Sequence, residues 1–129
     1  MVVVTGRVMA DADVLADLLS SRGEWQRVAD LLRSRRLALS AVAAFEVWCG
    51  LRTPTAQGAF RKLLRGVRLY PLDALTASRA AEVYRMLESR GERIGQRDAL
   101  IAGACLVTGL PLLTRNRRHF ERVSGLRLE

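Results

Sequence analysis

Leu37-Ala38-Leu39-Ser40-Ala41-Val42-Ala43-Ala44-Phe45-Glu46-Val47-Trp48-Cys49-Gly50-Leu51 is the stretch on which the reading of this chain turns. Leu37–Leu39 is an apolar run too short for a helix, so it reads as a buried strand. Ser40 then stands where a hydroxyl can cap a helix, and the apolar pattern continues to Leu51. A strand passing directly into a helix is half of a βαβ unit. Glu46 is the only charged residue in the whole stretch.

The same grammar recurs on both sides. Upstream, Val2–Val4 and Val8–Ala10 read as one buried strand region ending at Asp11, and a helical pattern follows through Val14, Leu15, Leu18 and Leu19. Ser21 with Glu24 forms a possible capping box for a second helix over Trp25, Val28, Leu31 and Leu32. Downstream, Thr53–Pro54 is a helix start, with proline at the first helical position. Val67–Leu69 reads as a third strand, 76–87 as an amphipathic helix, and 97–108 as another that stops at Gly109 and Pro111. Leu112–Thr114 is a fourth strand and Leu126–Leu128 a fifth. Short apolar strands alternating with helices imply an α/β fold whose parallel sheet is covered on both faces. No linker, repeat or low-complexity tract divides the 129 residues, so one domain over 1–129 is expected.

Composition narrows the partners. Lys and Arg together number 21 against 13 acids, a formal net charge of +8, and every basic residue except Lys62 is arginine. The planar guanidinium fork suits phosphate, so a polyanion is one natural partner; a solvated arginine-rich surface is the other reading, and composition does not choose between them. Cys49 and Cys105 lie in apolar helical runs and form no C-x-x-C pair, which points to free thiols rather than a disulfide framework or zinc site. No apolar stretch approaches the roughly 20 residues of a membrane span, and the start is too broken for a signal peptide; a cytoplasmic protein without membrane contact is expected.

Three acids then need an explanation. Asp11 directly follows the first strand, with Asp13 two residues on; Glu46 sits in an apolar helix; Asp98 opens the apolar helix containing Leu100, Ile101, Ala104 and Cys105. Each has a local alternative. Asp11 or Asp13 can cap the first helix, Asp98 can cap its own, and Glu46 can be partly exposed or paired with an arginine. Together they fit better, because ligands of open parallel sheets bind beyond the carboxyl ends of the strands, where all three can converge. Converging carboxylates repel unless a cation neutralises them, and all-oxygen ligation selects Mg²⁺, with Mn²⁺ as substitute, over zinc. Such an ion can activate water and neutralise charge building on a phosphate. After the fourth strand, T-R-N-R-R-H-F (114–120) adds Thr114 and Asn116 as oxygen donors at the same edge and Arg115, Arg117 and Arg118 as phosphate contacts; a solvated basic turn is its alternative.

At this point the residues resemble a known family. M-A-D-A-D-V-L-A-D-L-L is similar to the opening of PIN domains, with the first metal-binding aspartate at Asp11; S-A-V-A-A-F-E-V-W-C-G resembles the second motif, R-D-A-L-I-A-G-A the third, and L-P-L-L-T-R-N-R-R-H-F-E-R-V the fourth. The four motifs run in order through almost the whole chain, closest in length to the VapC-like toxins. The resemblance implies a three-layer sandwich with about five parallel strands, and a Mg²⁺-dependent endoribonuclease. It places Asp11, Glu46, Asp98 and Asn116 as the catalytic set, with the three acids on the metal and Asp13 and Thr114 in support. It also implies a homodimer, a VapB-like antitoxin whose tail covers the cleft, and structured RNA such as transfer or ribosomal RNA as substrate. The pattern departs at Ala12, where the family often has threonine, and at Asn116, where it frequently has aspartate; a neutral amide binds Mg²⁺ less strongly, which argues against a second tightly held ion. A PIN fold that has lost catalysis and binds RNA or protein is the competing expectation. The single histidine, His119, and the absence of a nucleophile elbow exclude a hydrolytic triad, and His119 is assigned to packing beside Phe120. No glycine-rich phosphate loop is present.

Overall fold

The computed structural model describes residues 5–129, so the expected strand over Val2–Val4 lies outside the described residues. The elements follow in the order β1 (Val8–Ala10), α1 (Ala12–Ser20), α2 (Trp25–Arg33), β2 (Leu37–Ser40), α3 (Ala41–Gly50), α4 (Pro54–Leu64), β3 (Arg68–Tyr70), α5 (Ala74–Ser89), α6 (Gln96–Thr108), β4 (Leu112–Leu113) and α7 (Arg117–Phe120). The local signals account for most of these starts. Ser40 accepts from the Ala43 N–H, Thr53 from Ala56 with Pro54 behind it, and Asp73 from Thr76. The capping box expected at Ser21 and Glu24 does not form. Ser21 instead takes a left-handed conformation that closes α1, and the Glu24 N–H is satisfied by the carboxylate of Asp17 at 3.1 Å.

The sheet is wholly parallel in the order β3-β2-β1-β4. It has four strands rather than about five. The expected fifth contributes a single parallel bridge, Leu128 to Leu112, flanked by hydrogen bonds from Leu112 N–H to Arg127 C=O and from Glu129 N–H to Leu112 C=O. β4 is only two residues long, so its outer edge offers too little ladder for another strand.

β1, β2 and β4 are buried on both faces: Val8, Met9, Ala10, Leu37, Ala38, Leu39, Leu112 and Leu113 are inaccessible or nearly so. Helices on both sides complete the three layers. One helix pair packs at backbone distance, because Gly103 of α6 faces Ala80 of α5 so closely that a Cβ there would meet the Ala80 Cβ and nitrogen at 2.8 Å. β3, at the sheet edge, keeps Arg68 and Leu69 exposed.

Strand order fixes where a ligand belongs. From β1 the chain steps outward to β2 and β3, then returns through α5 and α6 to place β4 on the opposite side of β1. The direction of winding changes between β1 and β4, and the crevice beyond their carboxyl ends is the binding position of such a sheet. Asp11 and Thr114 are the residues that immediately follow those two strands.

Candidate functional site

Asp11 and Thr114 meet across the switch point. The Thr114 hydroxyl donates to Asp11 Oδ2 at 2.8 Å, and Asp11 Oδ1 accepts from the Ala12 N–H at 2.7 Å, so Asp11 caps α1 while facing the crevice. Asp13, one residue into α1, does not cap it. Its Oδ2 accepts from the Arg115 N–H at 3.0 Å, and its Oδ1 is shielded from solvent with no hydrogen-bond partner among the described residues. Thr114 Oγ1 also accepts from the Asn116 N–H at 3.0 Å, which ties the turn after β4 to the start of α1.

Asp98 enters from α6 as its third residue. Gly95 occupies the capping position, so Asp98 is not the helix cap. Its Oδ2 lies 3.0 Å from His119 Nδ1 and 3.4 Å from Asn116 Nδ2. His119 is therefore not simply packed beside Phe120: it extends from α7 to the carboxylate. The missed signal is the spacing of Asn116 and His119, three apart on a helical turn and so on one side of it. Glu46 stands on α3 with its side chain 15% exposed, 3.1 Å from Arg97 Nε. The approach lacks hydrogen-bonding direction, and Glu46 Oε1 has no hydrogen-bond partner among the described residues although solvent does not reach it.

The electrostatics place these groups in one field. Burial pushes Asp11 up from its ordinary 3.8 to about 6; the Thr114 hydroxyl and Ala12 N–H oppose the shift, and the charges of Asp13 and Asp98 add to it. Burial likewise raises Glu46 from 4.5 to about 6 against the pull of Arg97, with Asp11, Asp98 and Asp13 all contributing repulsion. Buried carboxylates that repel one another in a crevice lack a positive charge. As the side chains stand, no three acids, histidines or cysteines among the described residues are grouped closely enough to hold a metal ion. Each is turned toward its own donor: Asp11 to Thr114, Asp13 to the Arg115 backbone, Glu46 to Arg97, and Asp98 to His119 and Asn116.

The arginines of the turn after β4 divide. Arg115 Nε is 3.1 Å from Asp17 Oδ2, and Arg117 donates to the Glu129 carbonyl at 2.9 Å; Arg118 is exposed. Asp17 went unremarked in the sequence although the logic that singles out Glu46 applies to it. It is an acid on the apolar side of a helix, 5% exposed, and it braces both Arg115 and the Glu24 N–H. Gly23 makes room for it: at φ +52°, a Cβ there would stand 2.4 Å from Asp17 Oδ2. Trp48 packs edge-on against Phe60 with their centroids 4.8 Å apart, a core pair rather than a stacking platform for bases.

Comparison with known proteins identifies the family of the chain. The PIN domain model matches residues 8–126. Ribonuclease VapC10 of Mycobacterium tuberculosis is 33% identical over 123 residues, covering 93% of this chain and 90% of its own. The tRNA(fMet)-specific endonuclease VapC of Shigella flexneri is 25% identical over 127 residues, covering 95% and 96%. Among solved structures, the DNA-bound VapBC of Salmonella typhimurium superposes with a TM-score of 0.85 at 24% identity, covering 95% of this chain and 96% of that one. VapBC2 of Rickettsia felis, bound to a promoter DNA fragment, superposes with a TM-score of 0.83 at 22% identity and the same coverage. With four carboxylates and Thr114 gathered at the switch point of a parallel sheet, and with these relatives aligned end to end, the chain belongs to the PIN domain family and to its VapC-type ribonucleases.

Proposed function

We propose that this chain is a divalent-metal-dependent endoribonuclease, the toxin of a toxin–antitoxin pair, acting on structured RNA. The observation that carries the reading is the repulsive carboxylate group at the β1/β4 switch point, with Asp11 and Glu46 both raised to about 6 and with buried oxygens of Asp13 and Glu46 that accept no hydrogen bond among the described residues, that of Glu46 facing only the Arg97 guanidinium. These donors suit Mg²⁺ or Mn²⁺, hard ions that prefer carboxylate oxygen. Asp11, Glu46 and Asp98 would hold the ion, with Asp13 in support. A bound ion supplies a water of lowered pKa and neutralises charge that develops on the scissile phosphate.

The protein's own groups do the positioning. Thr114 fixes the orientation of Asp11 and, through the Asn116 N–H, of the turn that carries Asn116 and His119. Asn116 and His119 orient Asp98: the Asn116 amide nitrogen can only donate, and with the imidazole Nδ1–H directed to the carboxylate both side chains donate to Asp98 Oδ2 rather than to each other. Arg97 occupies Glu46 until a stronger cation displaces it. Arg118 is free to meet phosphate, whereas Arg115 and Arg117 must first exchange their present partners.

The relatives' names suggest the biology. Transfer RNA is the substrate class named for the Shigella relative, and the superposable structures are VapBC complexes, so a VapB-like antitoxin is the proposed partner. A homodimer is proposed as well, because Phe45, Leu72 and Leu75 leave apolar surface exposed, Phe45 by 66%. No helix among the described residues is long and apolar enough to cross a membrane.

The test is cleavage of total cellular RNA by purified, antitoxin-free protein with Mg²⁺, Mn²⁺ or EDTA, beside Asp98→Asn. Discrete fragments are expected only with metal and only from the unsubstituted chain. Folded protein that cuts nothing with either metal would return the chain to the competing reading of a non-catalytic binding module.

A further inference from the structure

The positive charge of this chain is not spread evenly. Between Glu46 and Asp73 there is no acid at all, while Arg52, Arg61, Lys62, Arg65 and Arg68 supply five cations against a net charge of +8 for the whole chain. Most of these lie on α4 and β3, at the edge of the sheet two strands away from β1 and Asp11. Here the end of α2 packs against the turn before β3, closely enough that a Cβ on Gly66 would touch Leu32 Cδ1 at 3.2 Å. Between the two runs lies a groove of about 380 Å³, bordered by Arg33, Arg35, Lys62 and Arg65.

Arg33 is paired with Asp30, but the side chains of Arg35, Lys62 and Arg65 are exposed and have no partner among the described residues. Compensation of the helix dipole explains a cation in the last turn of α4, where Lys62 stands. It does not explain Arg35, whose backbone, at φ +59°, closes α2 as the Arg35 and Arg36 N–H groups donate to the Leu32 and Leu31 carbonyls, while its side chain stands exposed beside the groove.

We infer that this groove is a second phosphate-backbone site, which holds an arm of a folded RNA while another part of the same RNA occupies the carboxylate crevice. The groove opens at the amino ends of β2 and β3, and the crevice at the carboxyl ends of β1 and β4. A strand of β2's length spans roughly 13 Å and groove and crevice face opposite ends of the sheet, so an RNA that fills both must turn around the β3 edge, which a folded RNA does and a strand of about four nucleotides centred on the crevice does not. Three unpaired cations bind by releasing counterions from phosphate, without reading bases. The inference rests on the ribonuclease reading and specifies its substrate class: RNA with structure extending past the β3 edge.

The experiment measures binding of unfractionated transfer RNA across a salt series in the Asp98→Asn background, with and without Arg35→Gln, Lys62→Gln and Arg65→Gln together. Three lost phosphate contacts should reduce the slope of log affinity on log salt by about 2–3 and weaken binding about tenfold or more near 0.1 M salt. A control carrying Arg79→Gln, Arg85→Gln and Arg90→Gln removes the same charge from α5 and its C-terminal cap and should keep most of the slope. In the active chain, the groove variant should raise KM for transfer RNA and leave cleavage of an oligonucleotide of about four nucleotides unchanged. Equal losses in both variants would reduce the effect to net charge and overturn the inference, as would an unchanged slope in the groove variant. Wild-type protein that cuts transfer RNA while the groove variant cuts it equally well sinks this inference alone; wild-type protein that neither binds nor cuts RNA removes the ribonuclease reading with it.

Discussion

Consider Asp11→Asn in protein stripped of divalent metal. Asp11 is 7% exposed and its carboxyl is raised from 3.8 to about 6, chiefly by burial. A raised acid binds its proton more tightly folded than unfolded, so its contribution to stability falls as pH rises through the window between those values. Integrated, ionising Asp11 costs the fold about 3 kcal/mol at pH 7 and about 0.5 kcal/mol at pH 4. Asparagine removes that cost and keeps the shape. It also replaces the charge-assisted acceptor for Thr114 by a neutral group, a loss of roughly 1 kcal/mol. The variant should therefore be more stable than wild type by about 1–2 kcal/mol at pH 7 in EDTA, a rise in Tm of about 5 °C, while its cleavage of RNA is abolished. At pH 4 the advantage should vanish or reverse. Saturating Mg²⁺ should reverse it at pH 7, because an ion at roughly 100 times its Kd stabilises wild type by about 2.7 kcal/mol and the variant has lost a ligand. Urea unfolding at the two pH values, with and without Mg²⁺, measures all of this. An Asp11→Asn variant less stable than wild type at pH 7 in EDTA, or equally shifted at both pH values, would refute the account of Asp11 as a buried, uncompensated charge.

Three further outcomes follow from named contacts. Arg97→Gln removes the cation that now occupies Glu46, so Mg²⁺ should bind severalfold more tightly by calorimetry; weaker binding would show that Arg97 supports the site rather than competing for it. Thr114→Val keeps the side-chain shape but leaves Asp11 Oδ2 and the Asn116 N–H without their shared hydroxyl, at a cost of about 1–3 kcal/mol in urea unfolding and with weaker Mg²⁺ binding. Gly103→Ala drives a methyl into the Ala80 backbone and should destabilise by about 1–3 kcal/mol without changing Mg²⁺ affinity measured in folded protein; a neutral result would mean that α5 and α6 can move apart.

What the sequence disclosed about this molecule was local. Strands that are buried on both faces have no choice but to be continuous apolar runs, and caps declare themselves within three residues, so β1, β2 and the starts of α3 and α4 were legible. Asp11, Glu46 and Asp98 stood out because a charge among apolar residues is costly wherever the chain folds. The failures share one cause. The fifth strand, the role of His119 and the capping of α2 each depend on a partner brought in from elsewhere: a β4 too short to receive Leu126–Leu128, the carboxylate of Asp98, and the buried Asp17. Periodicity carries no information about such partners, because topology decides them.

The arginine excess shows the same division and how it is resolved. As composition it fits a solvated surface and a polyanion-binding surface equally well. Placed on the fold, the charges separate by partner. Arg27, Arg33 and Arg79 answer acids three residues away in the chain, exposed pairs each contributing at most about 1 kcal/mol. Arg97 and Arg115 answer the buried Glu46 and Asp17 and so set the geometry around the crevice. Arg35, Lys62 and Arg65 answer nothing among the described residues. Arg22, Arg52, Arg85, Arg90 and Arg118 are also unanswered among the described residues but stand apart from the groove, so what solvation leaves without a reason is three unanswered cations along one groove and the absence of acids from the whole segment between Glu46 and Asp73. A phosphate chain gives that reason, and it makes the salt slope of RNA binding the quantity in which the two explanations of one composition part.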